Sequence, residues 1–394
     1  MPPLTPTGGF LLYQRNIKLM YAISFFQGMV FYGSIATLYR QACGLSLFQI
    51  TLIESIFSVA CILLELPWGI VADWLGYRRT MLLCSTLFFV SKIIFWKADT
   101  FGGFLCERLL LSVVISGLSG VDDTILFLSC EKGQAQRVFS IYGYFGTLGM
   151  ILASVCFSLF LSENFRAAAF WTVVSYAIAA ALSFGLKEVG NPAAPTLSSQ
   201  IAAFRPGSFL KNRFVIFLIA MAITQEVYQL IIVFFSQPLY AQAGWSTATM
   251  GTVHIVLQLL SMSVVFSDAL TKRWKHRLFL PLLLVFSSLC AFLLSFSLPS
   301  ALLFLGVAGI QTSCSLLGPL QANIQNEAIT EQNRATALSA QSLLMRGIAI
   351  GVNLSLGRLS ESSLSASLSA SGLLLLGALF CVLLWQRSQP CSTQ

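Results

Sequence analysis

Apolar residues in this chain gather in long blocks, and short polar turns part the blocks from one end of its 394 residues to the other. Nowhere does a sustained every-second-residue alternation set in, so the pattern predicts helices and not the strands of a membrane barrel. Breaks at charged or turn-rich points place apolar helices near 17–40, 46–73, 79–98, 101–130, 137–161, 166–187, 213–242, 246–270, 277–297, 299–326, 335–357 and 366–385. A bilayer core takes about 20 residues of helix, and several of these segments are long enough to tilt. The expectation is an all-α integral membrane protein with about twelve transmembrane helices. The one long polar stretch, "KEVGNPAAPTLSSQIAAFRPGSFLKNR", falls between the sixth and seventh segments. It predicts an N-terminal six-helix bundle at 1–188, a linker at 189–211 and a C-terminal six-helix bundle at 212–394.

Composition agrees with the pattern. The chain is 56% hydrophobic and only 10% charged, whereas soluble domains carry about 25% charged residues. The formal charge of +8 does not point to nucleic acid, because the basic residues sit at segment ends and form no patch interleaved with aromatics. Orientation accounts for them. If the N-terminus is cytoplasmic, sixteen Lys and Arg fall in inside segments, six (Arg40, Lys92, Lys97, Arg108, Arg166 and Arg358) at outside ends, and Arg346 within a span. That bias predicts cytoplasmic termini and a cytoplasmic linker. The ten Cys lie mostly inside apolar runs without metal-ligand spacing, so they read as small buried hydrophobes, and no metal site is expected. The opening "MPPLTPTGGFLLYQRN" lacks the layout of a removable signal.

Against this apolar background, "GIVADWLGYRR" at 69–79 concentrates two Gly, an Asp and two Arg at the junction of the second and third segments. A weak repeat runs alongside. "EKGQAQRVFS" carries Glu131 and Arg137, and "EAITEQNRATALS" carries Glu327 and Arg334 about 196 residues later, at the same junction of the second half. Such an offset is expected of halves related in parallel about an axis along the membrane normal. The pattern Gly69, Asp73, Gly76, Arg78, Arg79 resembles the signature loop of the major facilitator superfamily. "SGVDDTILFLS", Arg137 and "RATALSAQSLLMR" are similar to a bacterial branch containing many small-molecule exporters. The loop departs from the family pattern at Trp74 and Tyr77, where basic residues are usual. What the resemblance implies is a two-bundle transporter in a bacterial cytoplasmic membrane that opens alternately to each side. Asp73, Arg78 and Glu131 would then form a cytoplasmic charge latch. Proton-driven exporters of the superfamily typically carry Gly-Pro in the fifth span, whereas "GYFGTLGMILAS" has Gly143, Gly146 and Gly149 without Pro.

Ionisable residues inside spans are expensive and mark functional candidates. Glu54 and Glu65 share a face of the second span. On the fourth, a continuous helix at 100° per residue brings Ser112, Ser119 and Asp122 within about 40° of Arg108 and sets Asp123 about 60° to the other side. The spacing leaves open which Asp faces a cavity. Asp122, Asp123, Glu226 and Glu54 are the proton-coupling candidates. Candidates for lining a substrate cavity are Gln27 and Tyr32 in the first span, Arg108 in the fourth, and Gln225, Tyr228 and Gln229 in the seventh. His254 and Gln258 in the eighth and Arg346 in the eleventh complete the set. Interhelical hydrogen bonding is the plainer role for each taken alone, and packing for His254.

These observations lead to a secondary transporter exporting an amphipathic drug-like compound or metabolite in exchange for protons. The alternative is an importer or facilitator of a small polar or anionic metabolite. No cofactor is expected beyond a proton gradient, and the expected partners are a small-molecule substrate and membrane lipids, with no nucleic acid and a monomeric state. No Gly-rich loop ending in Lys and Ser or Thr indicates ATP hydrolysis. With two His in the whole sequence and no activated Ser or Cys evident, an intramembrane enzyme fits poorly.

Overall fold

The computed structural model describes residues 6–131, 134–189, 213–296, 299–327 and 334–388. Among them every regular element is helical. The first half contains α1 (Pro6–Gly28), α2 (Ala36–Ala42), α3 (Leu47–Leu75), α4 (Tyr77–Lys97) and α5 (Phe101–Leu118). It continues with α6 (Val121–Ser129), α7 (Ala135–Cys156) and α8 (Phe165–Ser183). The second contains α9 (Phe214–Gln229), α10 (Ser236–Gln242), α11 (Thr247–Ser261) and α12 (Ser267–Leu294). It ends with α13 (Ser300–Glu327), α14 (Arg334–Ser362) and α15 (Leu364–Arg387). Ten helical stretches among the described residues are long and apolar enough to cross a membrane. One of them, Thr247–Leu294, is 48 residues long; Lys275, at φ 57 and ψ 147, breaks it where the eighth and ninth segments were expected to part. With α14 covering the eleventh, each expected span has a helix. The protein is an all-α, multi-pass membrane protein.

The chain forms two compact units. In the first, α1 packs on α7 and α8, while α4 packs on α5 and α8. In the second, α9 packs on α14 and α15, while α12 packs on α13 and α15. Each unit thus follows one plan: its first span lies against its fifth and sixth, and its third against its fourth and sixth. The units are not two uninterrupted stretches of sequence. Leu45–Ser55, which includes the start of α3, belongs to the second unit, and Thr247–Ile255, the start of α11, to the first. In the second unit Ser46 Oγ donates to Glu361 Oε1 at 2.9 Å, and a Cβ on Gly357 would strike Thr51. In the first, Thr247 Oγ1 donates to the Ser162 carbonyl at 2.7 Å, and a Cβ on Gly251 would strike Ser158.

The first span is not one helix. After Gly28 the backbone unwinds until the 3₁₀ turn Gly33–Ile35, which would leave peptide groups unsatisfied in an apolar medium. Side chains of α8 take them up. Ser175 Oγ donates to the Phe26 carbonyl, Tyr176 OH to the Gln27 carbonyl at 2.7 Å, and the Phe31 N–H donates to Thr172 Oγ1 at 3.0 Å. Below the break α1 lies backbone to backbone with α7: a Cβ on Gly28 would collide with the Gly146 carbonyl, and one on Gly149 with the Phe25 carbonyl. The glycines of the fifth span therefore serve close packing, as small residues do between membrane helices.

Gly149→Val should consequently lower the thermal midpoint of the detergent-solubilised protein, by the equivalent of about 1–3 kcal/mol expected for overpacking. Gly143→Ala, whose Cβ would meet nothing within 4 Å, should leave it unchanged. Equal midpoints for Gly149→Val and the parent would contradict the contact.

Candidate functional site

The loop between α3 and α4 turns at Gly76, whose φ of 82 is a conformation side chains rarely adopt. Directly after it, Arg78 reaches the end of α8: its Nε donates to the Leu186 carbonyl at 2.6 Å, its Nη2 to the Phe184 carbonyl at 3.4 Å, and its N–H to Glu188 Oε1 at 3.2 Å. A cation on the carbonyls of a helix C-terminus is favourable. Arg78 thus clasps the sixth span. Glu131 is exposed and accepts from Gln134, while Arg79 and Arg137 are exposed. Gly69 and Asp73 lie on α3, but their side-chain surroundings are outside the described residues, as is the surroundings of Arg334. Among the described residues, then, Arg78 and Glu131 have separate partners.

The fourth span departs from the continuous helix on which its polar stripe was drawn. It stops at Leu118 and restarts at Val121, with Gly120 at φ 78 between. The 100° rule cannot be carried across such a break, so Arg108 and Ser112 on α5 do not share a stripe with Ser119 and Asp122. Ser112 Oγ instead donates to the Leu109 carbonyl at 2.7 Å. Asp122 and Asp123 occupy the first turn of α6, where negative charge is stabilised by the helix dipole. Asp122 is the half-buried one: its Oδ1 accepts from the Asp123 N–H at 2.9 Å and its Oδ2 from Tyr142 OH at 3.5 Å. Asp123 is exposed.

The first unit holds a charge cluster that sequence reasoning missed. Lys92 and Arg40, expected at the outer surface, are only 6% and 3% exposed, and Glu107 is 1% exposed. Lys92 Nζ lies 3.7 Å from Glu107 Oε1, and Arg108 Nε 3.8 Å from Glu107 Oε2. Lys92 also donates to Tyr32 OH at 3.3 Å and sits 5.1 to 6.0 Å from the ring centres of Phe88, Tyr176 and Tyr32. Arg40 lies over Phe95 and Phe104. Aromatic faces attract cations, more strongly where water is absent. A signal was available: Lys92 and Glu107 are seven to eight residues either side of the turn at 98–100, so antiparallel helices bring them level. Tyr32, a cavity candidate, belongs to this cluster.

The remaining candidates divide between interior and partly open positions. Tyr228 is fully buried and bonded to Ser287, so it packs inside the second unit. Gln225 donates to Gln321 Oε1 at 3.1 Å, Gln229 is exposed, and Gln258 and Arg346 are half-buried. In the first unit, Gln27 is half-buried with Nε2 lacking a partner, and His254 Nε2 lies 3.9 Å from where a Gly33 Cβ would stand. Glu54 and Glu226 are 7% and 9% exposed and interact electrostatically; Glu226 Oε1 has no hydrogen-bond partner. A cleft of about 470 Å³ opens at helix ends of the first unit, lined among others by Tyr39, Asp99, Glu163 and Arg166. None of the expected cavity residues lines it. Among the described residues no three His, Cys, Asp or Glu gather as metal ligands.

The sequence matches the family model described as Major Facilitator Superfamily over residues 18–353. The chain belongs to this superfamily. An uncharacterised MFS-type transporter of Methanocaldococcus jannaschii is 24% identical over 139 residues, which make up 34% of this chain and 36% of that relative. The matched stretch therefore spans about a third of the relative's length. Among solved structures, the nucleoside transporter NupG superposes with a TM-score of 0.76 at 16% identity, covering 94% of this chain and 98% of that one. A bacterial homologue of the human lysosomal transporter Spinster gives 0.75 at 16% identity, covering 98% of each chain. A D-xylose-proton symporter gives 0.71 at 12% identity, covering 94% of this chain and 97% of that one. At such identities these proteins share the fold with this chain.

Removing one member of a buried pair strands the other charge, at about 3–5 kcal/mol. Glu107→Leu should therefore lower the thermal midpoint of the protein steeply, and adding Lys92→Met should recover part of the loss, the remainder belonging to Arg108, which Glu107 also pairs. A double variant as unstable as the single would show that the charges are not coupled.

Proposed function

We propose that the protein is a proton-coupled secondary transporter that exports an amphipathic solute by alternating access, with Glu226 carrying the coupling proton. The observation behind this reading is Glu226 itself. It lies in a membrane-spanning helix, nine-tenths removed from water, with one carboxylate oxygen unpartnered and with Glu54 within electrostatic reach. An acid so placed exchanges its proton only when its access to water changes, which is the property that couples protons to a conformational cycle. Asp122 and Asp123 serve instead as N-terminal residues of α6, partly engaged with Tyr142 and with each other. One fold relative is a D-xylose-proton symporter, which agrees with coupling in this architecture without fixing its direction.

The aromatic content of the first unit and the engagement of Arg108 with Glu107 favour an amphipathic solute over an anion. Inward movement of a small polar solute is the second reading, and the amide pair Gln225–Gln321 is what favours it. The distribution of Lys and Arg supports cytoplasmic termini, in a bacterial cytoplasmic membrane, with the protein acting as a monomer and without catalysis.

In liposomes, a panel of lipophilic cations, antibiotics and small anions is expected to include a solute that moves protons through the parent protein. Glu226→Gln should abolish that proton movement while leaving solute exchange. Asp122→Asn and Asp123→Asn should keep it. Solute and protons moving in opposite directions mean exchange, and movement together means symport. Unaltered proton flux in Glu226→Gln would sink the assignment.

A further inference from the structure

Three helices of the second unit bring amide side chains together around one sulfur. Gln321 and Gln325 lie one turn apart on α13 and so share a face. Gln225 of α9 donates to Gln321 Oε1 at 3.1 Å. The amide nitrogens of Gln321 and Gln325 both turn to Met345 of α14, with Nε2 to Sδ distances of 3.8 and 3.4 Å. One turn before Met345, Gln341 is 2% exposed and its Oε1 has no partner. Gln321 is 8% exposed, whereas Gln325 and Met345 are only half-buried. The cluster therefore has a closed inner end and a partly open outer one.

The chemistry of this arrangement is lopsided. A thioether sulfur is a weak acceptor, yet here it is the acceptor for two amide donors. Withdrawn amides normally find a carbonyl, carboxylate or hydroxyl, and leaving them without a good partner is unfavourable. Methionine is also the side chain most readily moved aside, being unbranched with three rotatable bonds. Two amide donors resting on a weak, displaceable acceptor, with an orphan acceptor on Gln341 one turn along α14, have the make-up of a site for a group that offers both an acceptor and a donor. The groups the cluster offers are uncharged amide donors and an uncharged amide acceptor, so they complement a neutral donor–acceptor pair.

We propose that Gln321, Gln325 and Gln341 form the polar subsite for the transported solute. That solute carries an amide-type group, a carbonyl beside an N–H as in a carboxamide, lactam or pyrimidine base. Its carbonyl oxygen takes the two amide donors from Met345, which swings away, and its N–H meets Gln341 Oε1. The apolar remainder of the solute then faces the half-buried side of the cluster. This rests on the reading of the protein as a solute transporter, and it does not depend on proton coupling or on direction. A site built to hydrogen-bond a group discriminates strongly against analogues that lack it, so the cluster sets specificity.

The test compares purified parent protein with Gln321→Met, Gln325→Met and Met345→Leu. Each Gln→Met change keeps side-chain length and removes only the amide, and Met345→Leu conserves volume. Uracil, uridine and nicotinamide serve as amide-type probes, with tetraphenylphosphonium as a probe that lacks the group; ligand-induced thermal shift and equilibrium binding are read for each. At least one amide-type probe should bind the parent, weaken by about tenfold or more in either Gln→Met variant, and bind Met345→Leu as tightly as the parent or more tightly. Three results overturn the proposal: no amide-type probe binds, the Gln→Met variants bind as the parent does, or Met345→Leu loses binding together with them, which marks the cluster as structural glue. Midpoints without ligand reveal any variant that fails to fold, and in that case Gln341→Met supplies the same comparison. Flux in liposomes is read separately. Parent protein that moves tetraphenylphosphonium but binds no amide overturns the subsite and leaves transport standing, whereas amide binding without any flux overturns transport and leaves the subsite.

Discussion

In an apolar medium every peptide N–H and C=O must find its partner within the protein, and that constraint governs this structure down to single side chains. It accounts for the helices, which satisfy their own backbones. It accounts equally for what happens where a helix fails. The first span unwinds after Gly28, and α8 answers with Ser175 and Tyr176 on two freed carbonyls and Thr172 on a freed N–H. The fourth span breaks at Gly120, whose carbonyl accepts from the Thr124 hydroxyl at 2.6 Å. An irregular backbone at such depth persists only because neighbouring side chains complete it. The plain-looking sequence of α8 thereby becomes the support of the first unit, and Arg78 fastens its far end through the carbonyls of Phe184 and Leu186.

The same medium sorts the charges. Those at helix ends serve packing and topology, as Arg78 does. Those withdrawn from water come with partners: Lys92 with Glu107 and three aromatic rings, Arg108 with Glu107 and the Phe57 ring at 5.6 Å. Glu226 stands apart, since its interacting neighbour is another acid and not a cation. Buried ion pairs such as Lys92–Glu107 contribute little net stability over apolar residues of the same shape. What they impose is a fixed register between α4 and α5. Glu226, with one carboxylate oxygen unbonded, takes no part in such a register.

Much of the fold was legible in the sequence because hydrophobic block length and turn placement are local properties. The expected spans correspond to helices from α1 to α15, and the polar run around Lys275 marked a turn where the backbone does leave the helix. The signature loop was legible for the same reason, since its Gly and its charges are near neighbours in the chain, and Gly76 takes the positive φ that glycine tolerates. The candidate site was legible only in part. Gln225 and Glu226 stood out as polar residues in a greasy run. Gln321, Gln325 and Met345 did not, because their meaning arises from contacts between α13 and α14 and, through Gln225, with the distant α9.

Sequence alone determined that this chain lives in a membrane, that it crosses as several helices, and which short segment turns between the second and third spans, since each follows from residues adjacent in the chain. Only the tertiary structure decided that the first and fourth spans are broken, and that Lys92 and Arg40 are interior and not surface charges. It alone decided that Asp122 turns toward Tyr142 while Asp123 stays outside. Those outcomes depend on which helix lies alongside to supply a hydroxyl, a ring or a counter-charge. A projection along a single helix contains no information about its neighbour.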